Sequence, residues 1–407
     1  MSTRILIIDH SPIARLAMSD ALKAVPGFEV VGLAGDPHGA RSLFRSMQPD
    51  VVVIDVDIPG TDSVVLLKAL QSERRVPAVA VASSTERSNR LALQTMEHGA
   101  IAVVSRHSIM MRQIQDNSAN LVQAVRSAAI SRGARQPPPR VGAMAPAPRP
   151  AAAPLSARAI SPLPTPAGRP APPSAPTPAG SQGYATNASV SVINERMSGP
   201  KQSPDMLLPP PRPGAVQPTS PVIAIGASTG GVQALEAILP GIPANSPPIV
   251  IVQHMPENFT ANFAARLNSL SKIEVKQAAH GDKLRPGLAL VAPGGKHLIV
   301  KRNGMQYYVD VVDGPLITRH RPSVDVLFRS TASAAGQNGV GFLLTGMGDD
   351  GARCLREMRD CGAMTYAQDE KTCTVFGMPR EAIRMGAAVE IVPLQQIAGL
   401  IGRYAGK

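Results

Sequence analysis

Residues 222–231 read Val-Ile-Ala-Ile-Gly-Ala-Ser-Thr-Gly-Gly. Val222 to Ile225 is a β-prone apolar run, and the glycine-flanked turn after it delivers Ser228 to the start of a helix expected over Val232–Ile238. At a helix start the free backbone N–H groups and the helix dipole stabilise negative charge. Glycines there keep side chains out of the way of a substrate carbonyl. The turn by itself suits two chemistries: a nucleophile whose tetrahedral intermediate carries an oxyanion, or a phosphate-binding loop.

A serine hydroxyl needs a base, and the base needs an orienting group. The strand Ile249–Val252 ends in Gln253-His254-Met255-Pro256, which places His254 just past a strand end. The strand Val340–Leu344 ends in Thr345-Gly346-Met347-Gly348-Asp349-Asp350-Gly351, two carboxylates in a glycine-rich turn before a helix at Ala352–Met358. Three strand exits therefore offer Ser, His and Asp on the edge where parallel α/β sheets place their sites. Either Asp349 or Asp350 can cap the following helix while the other orients the histidine. His280, His297 and His320 are further bases, in less sharply defined loops. Gly226-Ala-Ser-Thr-Gly230 fits G-x-S-x-G, yet the α/β-hydrolase order of Ser, acid, His is absent, since no histidine follows His320. A nucleotide-binding module would need an acidic ribose contact about 20 residues on, together with a full glycine fingerprint; none is present. A regulatory scaffold with a lapsed active site is the third reading.

Residues 1–130 alternate in the α/β manner. Strands are expected at Ile5–Ile8, Phe28–Leu33, Val51–Ile54, Ala78–Ala82 and Ile101–Val104. Helices fall between them, starting after Ser11-Pro12, at Pro37–Met47, Ser63–Leu70 and Asn89–Glu97, with a closing helix near Ile114–Ala129. Five such units give a doubly wound (βα)5 sheet whose C-terminal edge carries Asp9, Asp55 and Ser83.

Between these domains, residues 131–219 are rich in proline, alanine and scattered arginine. Such a segment cannot bury enough apolar surface to offset chain entropy and is expected to be a disordered linker. The chain holds 40 prolines and a formal net charge of +12. Much of that charge sits singly in the linker (Arg132, Arg135, Arg140, Arg149, Arg158, Arg169, Arg196, Lys201 and Arg212 against Glu195 and Asp205), with few aromatics for base stacking. This argues against specific nucleic-acid binding and for a tether drawn to acidic surfaces. Cys354, Cys361 and Cys373 fit no zinc spacing and read as reduced, buried thiols. The apolar run at the N-terminus stops at Asp9, and no run approaches the roughly 18 residues of a spanning helix, so a cytoplasmic protein without membrane insertion is expected.

The blocks Gly226-Ala-Ser-Thr-Gly-Gly, Val252-Gln-His-Met-Pro, Ala292-Pro-Gly-Gly-Lys-His, Arg321-Pro-Ser-Val-Asp-Val-Leu-Phe, Leu344-Thr-Gly-Met-Gly-Asp-Asp-Gly and Val375-Phe-Gly-Met-Pro-Arg resemble, in order, those of CheB-type chemotaxis protein-glutamate methylesterases. The resemblance covers nearly all of 220–407. It implies an α/β esterase domain with a mostly parallel sheet, Ser228 as nucleophile, His254 as base and Asp350 as acid. Backbone donors at Thr229 and Met347 would face the oxyanion, and catalysis would need no cofactor. It further implies γ-methyl esters of glutamate on methyl-accepting chemotaxis receptors as substrates, possible glutamine deamidation, and a histidine kinase as a partner. Residues 1–130 resemble a response-regulator receiver, with Asp55 at the phosphoacceptor position, Asp9 with Asp55 at the metal position and Ser83 at the hydroxyl position. Two positions depart from that pattern: His10 stands where the second acid is usual, and Arg106 where lysine is usual. The first weakens a site for Mg²⁺, which prefers oxygen ligands. The second keeps the charge, but its rigid fork is no substitute for a lysine point charge. A receiver that regulates by docking without phosphorylation is therefore the alternative reading.

Overall fold

The computed structural model describes residues 2–83, 85–106, 116–131, 201–214 and 220–406. The first domain is built from β1 (Thr3–Ile8), α1 (Pro12–Lys23), β2 (Phe28–Ala34), α2 (Pro37–Met47), β3 (Val51–Asp55), α3 (Ser63–Glu73), β4 (Ala78–Ala82), α4 (Glu86–Glu97), β5 (Ala100–Ser105) and α5 (Asp116–Ser131). Its strands pair in the order β2-β1-β3-β4-β5, all parallel. Local chemistry sets the helix starts. The Ser11 hydroxyl accepts from Ala14 N with Pro12 at the first turn, and the Asp36 carboxylate accepts from His38 N and Gly39 N ahead of Pro37. The expected (βα)5 arrangement is the one found. Ile114, where the closing helix was expected to begin, lies outside the described residues, as do 132–200 of the linker.

The second domain runs β6 (Val222–Ala227), α6 (Gly231–Ile238), β7 (Ile249–Gln253), α7 (Glu257–Leu270), β8 (Glu274–Gln277), β9 (Leu288–Val291), β10 (His297–Asn303), β11 (Gln306–Val312), α8 (Val324–Ala335), β12 (Gly339–Leu343), α9 (Ala352–Asp360), β13 (Met364–Gln368), α10 (Met378–Arg384), β14 (Glu390–Val392) and α11 (Leu394–Gly402). Seven strands form one sheet in the order β14-β13-β12-β6-β7-β9-β8, parallel at every pairing. An antiparallel hairpin, β10–β11, stands beside it. Ile223 and Ile225 enter the core on one face, Val222 and Ala224 on the other, so the central strand reads as a continuous apolar run. The three cysteines are free and buried. Among the described residues no helix is long and apolar enough to cross a membrane.

One expectation is corrected. Residues 201–208, expected as part of a disordered linker, lie against the second domain, with a turn of 3-10 helix at Pro204–Met206. Lys201 and Asp205, counted above as tether charges, pair there with Asp349 and with Arg329. Composition averaged over the segment hid one carboxylate and two leucines, Leu207 and Leu208, that have specific partners.

Candidate active site

Sheet order brings the three candidate exits together. Strands β12, β6 and β7 are neighbours, although β12 lies about a hundred residues on in the chain. In register, Leu343 pairs with Gly226 and Ala227 with Gln253, which places Ser228 beside His254 and the Thr345–Asp350 turn on the other flank. Backbone bonds fix this edge: His254 N donates to Ala227 O (3.1 Å) and Ser228 N to Thr345 O (3.0 Å). Gln253 Nε2 ties the serine and histidine loops by donating to Ser228 O (2.9 Å) and His254 O (3.1 Å). Gly230 takes φ +79°, a conformation side chains resist. At Gly226 the sequence reading is revised: a Cβ there would sit 2.1 Å from Val324 Cγ1, so this glycine serves packing of β6 against α8 rather than substrate access.

The structure separates Asp350 from Asp349. Asp350 is wholly buried at the start of α8, where its oxygens accept from Ser323 Oγ (2.8 Å), Val324 N (2.8 Å), Asp325 N (3.0 Å) and His254 Nε2 (2.8 Å). Asp349 is half-exposed and pairs with Lys201. Burial would raise the Asp350 pKa; the hydrogen bond and charge of His254 and the backbone donors of the helix start outweigh it and hold the carboxyl low. An ionised carboxylate only accepts, so a neutral His254 carries its proton on Nε2. Its Nδ1, buried and without a protein partner, is then the basic nitrogen.

Two further residues shape the site. His320, named above only as a spare base, stacks on His254 with ring centroids 3.7 Å apart and planes 7° from parallel. Burial and the neighbouring His254 push its pKa down to about 3, so it stays neutral through the working pH range. Its Nδ1 lies 2.8 Å from Thr318 O and 3.8 Å from Asp350 Oδ2. Nothing in the local sequence signals this stack, because the loop before α8 has no regular pattern. Asp325, also buried, accepts from Thr318 Oγ1 (2.8 Å) and Cys354 N (3.1 Å). Burial and the Asp350 charge raise its pKa. Of the two buried carboxyls Asp350 is ionised and Asp325 favours its proton. A raised folded-state pKa stabilises below the ordinary carboxylate range and loses that contribution as pH rises through the raised value. His320 and His297, with lowered pKa values, gain stability over the same rise in pH, so the Asp325 contribution is read as a difference. From mildly acidic to neutral pH the thermal midpoint of wild type should fall relative to that of Asp325→Asn. A constant difference across a pH series of melts would contradict the assignment.

Around Ser228 two backbone donors stand ready. Ser228 N and Gly346 N are engaged with Thr345 O and Val375 O. Among the described residues Thr229 N and Met347 N donate to no protein acceptor. One sheet edge therefore brings together a serine, a histidine nitrogen without a protein partner and two amides that donate to no protein acceptor, the groups that acyl transfer requires. The first domain reaches this edge: Ser127 Oγ on α5 lies 3.2 Å from Met347 Sδ. Beside it, Glu97 pairs with Arg266, and Gln233 Nε2 donates to Met96 O and Ala100 O, both at 3.0 Å.

In the first domain Asp9 and Asp55 meet in a buried pocket. The Arg106 guanidinium bridges them, 3.0 Å from Asp9 Oδ2 and 2.5 Å from Asp55 Oδ1, and His10 Nδ1 lies 2.7 Å from Asp55 Oδ2. Burial and the Asp55 charge raise the Asp9 pKa, partly offset by Ser11 N and Arg106. These residues do not fit a hard Mg²⁺: both carboxylates face a fixed organic cation, and imidazole replaces an oxygen ligand. Ser83, expected beside Asp55, instead donates to Asp57 Oδ2 (2.9 Å), which also accepts from Ser88 Oγ (2.5 Å). A carboxylate two residues past Asp55 captures the hydroxyl.

Comparison with known proteins agrees with both halves. The CheB methylesterase family matches residues 223–401 and the response regulator receiver domain family residues 5–115. A protein-glutamate methylesterase/protein-glutamine glutaminase of Chromobacterium violaceum is 44% identical over 405 residues, covering 99% of this chain and 100% of its own length. One of the same name from Shewanella denitrificans is 41% identical over 401 residues, covering 98% and 99%. Among solved structures, the catalytic domain of Thermotoga maritima CheB methylesterase is 36% identical, with a TM-score of 0.45 over 46% of this chain and 99% of that one. Full-length identity above 40%, together with the matches of this chain to both domain families, means that it belongs to the family of CheB methylesterases, with a receiver domain ahead of the esterase.

Proposed function

We propose that the chain is a serine hydrolase that removes γ-methyl esters from glutamates of chemotaxis receptors and, more slowly, deamidates receptor glutamines. The observation that carries this reading is the convergence of Ser228, His254 and Asp350 at three adjacent strand exits, with Asp350 bonded to His254 Nε2. Ser228 Oγ attacks the ester carbonyl while His254 Nδ1 takes the hydroxyl proton. The oxyanion is met by Thr229 N and Met347 N, and Asp350 stabilises the imidazolium. On collapse the C–O bond to methoxide breaks and His254 returns its proton, releasing methanol. Water then attacks the acyl-enzyme with His254 again as base, restoring Ser228 and freeing the glutamate carboxylate. An amide follows the same path but leaves less readily. The test is methanol release from methylated receptor membranes, set against the same membranes without enzyme.

The receiver is the regulatory half of this reading, with a chemotaxis-type histidine kinase as its partner and the cytoplasm as the setting of both. Ser127 against Met347 gives it a hold on one oxyanion donor. Within it, Arg106 and His10 take the place of a metal ion around Asp55. Calorimetry should find no Mg²⁺ binding to the native chain at millimolar concentration. The pair His10→Asp with Arg106→Lys should acquire it. Tight Mg²⁺ binding by the native chain would overturn this part.

A further inference from the structure

The described end of the inter-domain segment makes contacts that a passive tether does not need. Arg329 on α8 has a fully buried side chain, and its guanidinium has acceptors from two sources. Glu357 of α9 takes Nε (2.8 Å) and Nη2, while Nη1 is taken by Asp205 Oδ1 and by Leu208 O (3.0 Å). Half the partners of a buried cation are thus supplied from outside α8 and α9. Asp205 also pairs with Arg353, whose Nη1 donates to Ser203 Oγ (2.8 Å). Leu207 and Leu208 close over Ile299, Ile317 and Val326.

The same segment holds the loop before α8. Thr318 N donates to Gln202 O (3.0 Å). Thr318 and Arg319 both take left-handed backbone, φ +48° and +70°, which side chains resist and which persists only where neighbours impose it. Next in the chain is His320, which stacks on His254. At the other flank Lys201 pairs with Asp349, the residue before Asp350.

We propose that residues 201–208 form a strap, anchored by Asp205 on Arg329 and Arg353, that holds the Thr318–His320 loop against His254. Gln202 and Asp205 are positioning residues for the hydrolysis. The inference rests on the esterase reading above and adds the end of the inter-domain segment to the support of its base. Whatever draws on that segment then acts on the ring stack.

The test uses the full chain with Asp205→Ala and Asp205→Glu, methylated receptor membranes, and amide exchange at Thr318. With the far-UV spectrum unchanged, Asp205→Ala should lower kcat by roughly tenfold at unchanged KM, as expected for a small displacement of the base. Thr318 N–H exchange should speed up, and Asp205→Glu should recover most of both. A folded Asp205→Ala with wild-type kcat, or with lowered kcat but unchanged Thr318 exchange, overturns the strap. Should Asp205→Ala not fold, Arg353→Met carries the test, since Arg353 is about half exposed and Arg329 keeps its partners. A fall in kcat with faster Thr318 exchange supports the strap, and wild-type values for both overturn it. A wild type that releases no methanol overturns the esterase reading instead, whereas equal methanol release by wild type and folded Asp205→Ala overturns the strap alone.

Discussion

Replacing Ser228 by alanine is expected to cut methanol release from methylated receptors by on the order of 10³-fold or more while leaving the fold intact. The structural bonds of this residue run through its backbone: N to Thr345 O, and O from Gly231 N and Gln253 Nε2. Loss of Oγ therefore removes the proposed nucleophile without releasing the turn. A 10³-fold loss corresponds to about 4 kcal/mol of transition-state stabilisation. Residual activity would come from the amides of Thr229 and Met347 and from substrate binding. Retention of wild-type activity by a folded Ser228→Ala protein would remove the nucleophilic reading. Binding of a phosphate ligand at the 226–231 turn, unaltered by the same change, would revive the nucleotide alternative.

The second large effect separates two adjacent carboxylates. Asp350→Asn is expected to lower kcat by roughly 10³–10⁴-fold with KM little changed. An asparagine amide cannot stabilise an imidazolium, and its NH₂ can donate to His254 Nε2 and leave the proton on Nδ1, the nitrogen proposed to act as base. Asp349→Asn removes a half-exposed partner of Lys201 and should change kcat by less than about fivefold. Kinetics of the two variants side by side read the difference directly. Comparable losses in both would mean that the acid is not fixed by the Asp350–His254 bond.

Reading outward from 222–231 located much of this site because its signals are local. An apolar run ending in Gly226-Ala-Ser228, or in Gln253-His254, states within a few residues that a strand stops and a polar side chain follows. Parallel strands place those stops on one edge of a sheet whatever its strand order. Strands β8, β9, β13 and β14, the hairpin β10–β11 and helices α8, α10 and α11 escaped, since their patterns are short and their faces are defined by neighbours. The linker was legible as composition, but its last turns were not. Asp205 differs from a solvated carboxylate because Arg329 and Arg353 converge on it.

What the sequence by itself determined is the chemistry available at each strand exit, the presence of two α/β domains and the Pro-rich stretch between them. Hydrophobic periodicity, glycine turns and capping residues act over fewer than a dozen positions, so they can be read without a fold. Tertiary structure alone decided that β12 lies beside β6, and that Asp350 rather than Asp349 turns inward to the start of α8. It alone decided that His320 stacks on His254, that Arg106 bridges Asp9 and Asp55, and that Asp57 holds the Ser83 hydroxyl. Each is a contact between segments distant in the chain. Its free energy depends on burial and on the partner opposite, neither of which residue spacing encodes.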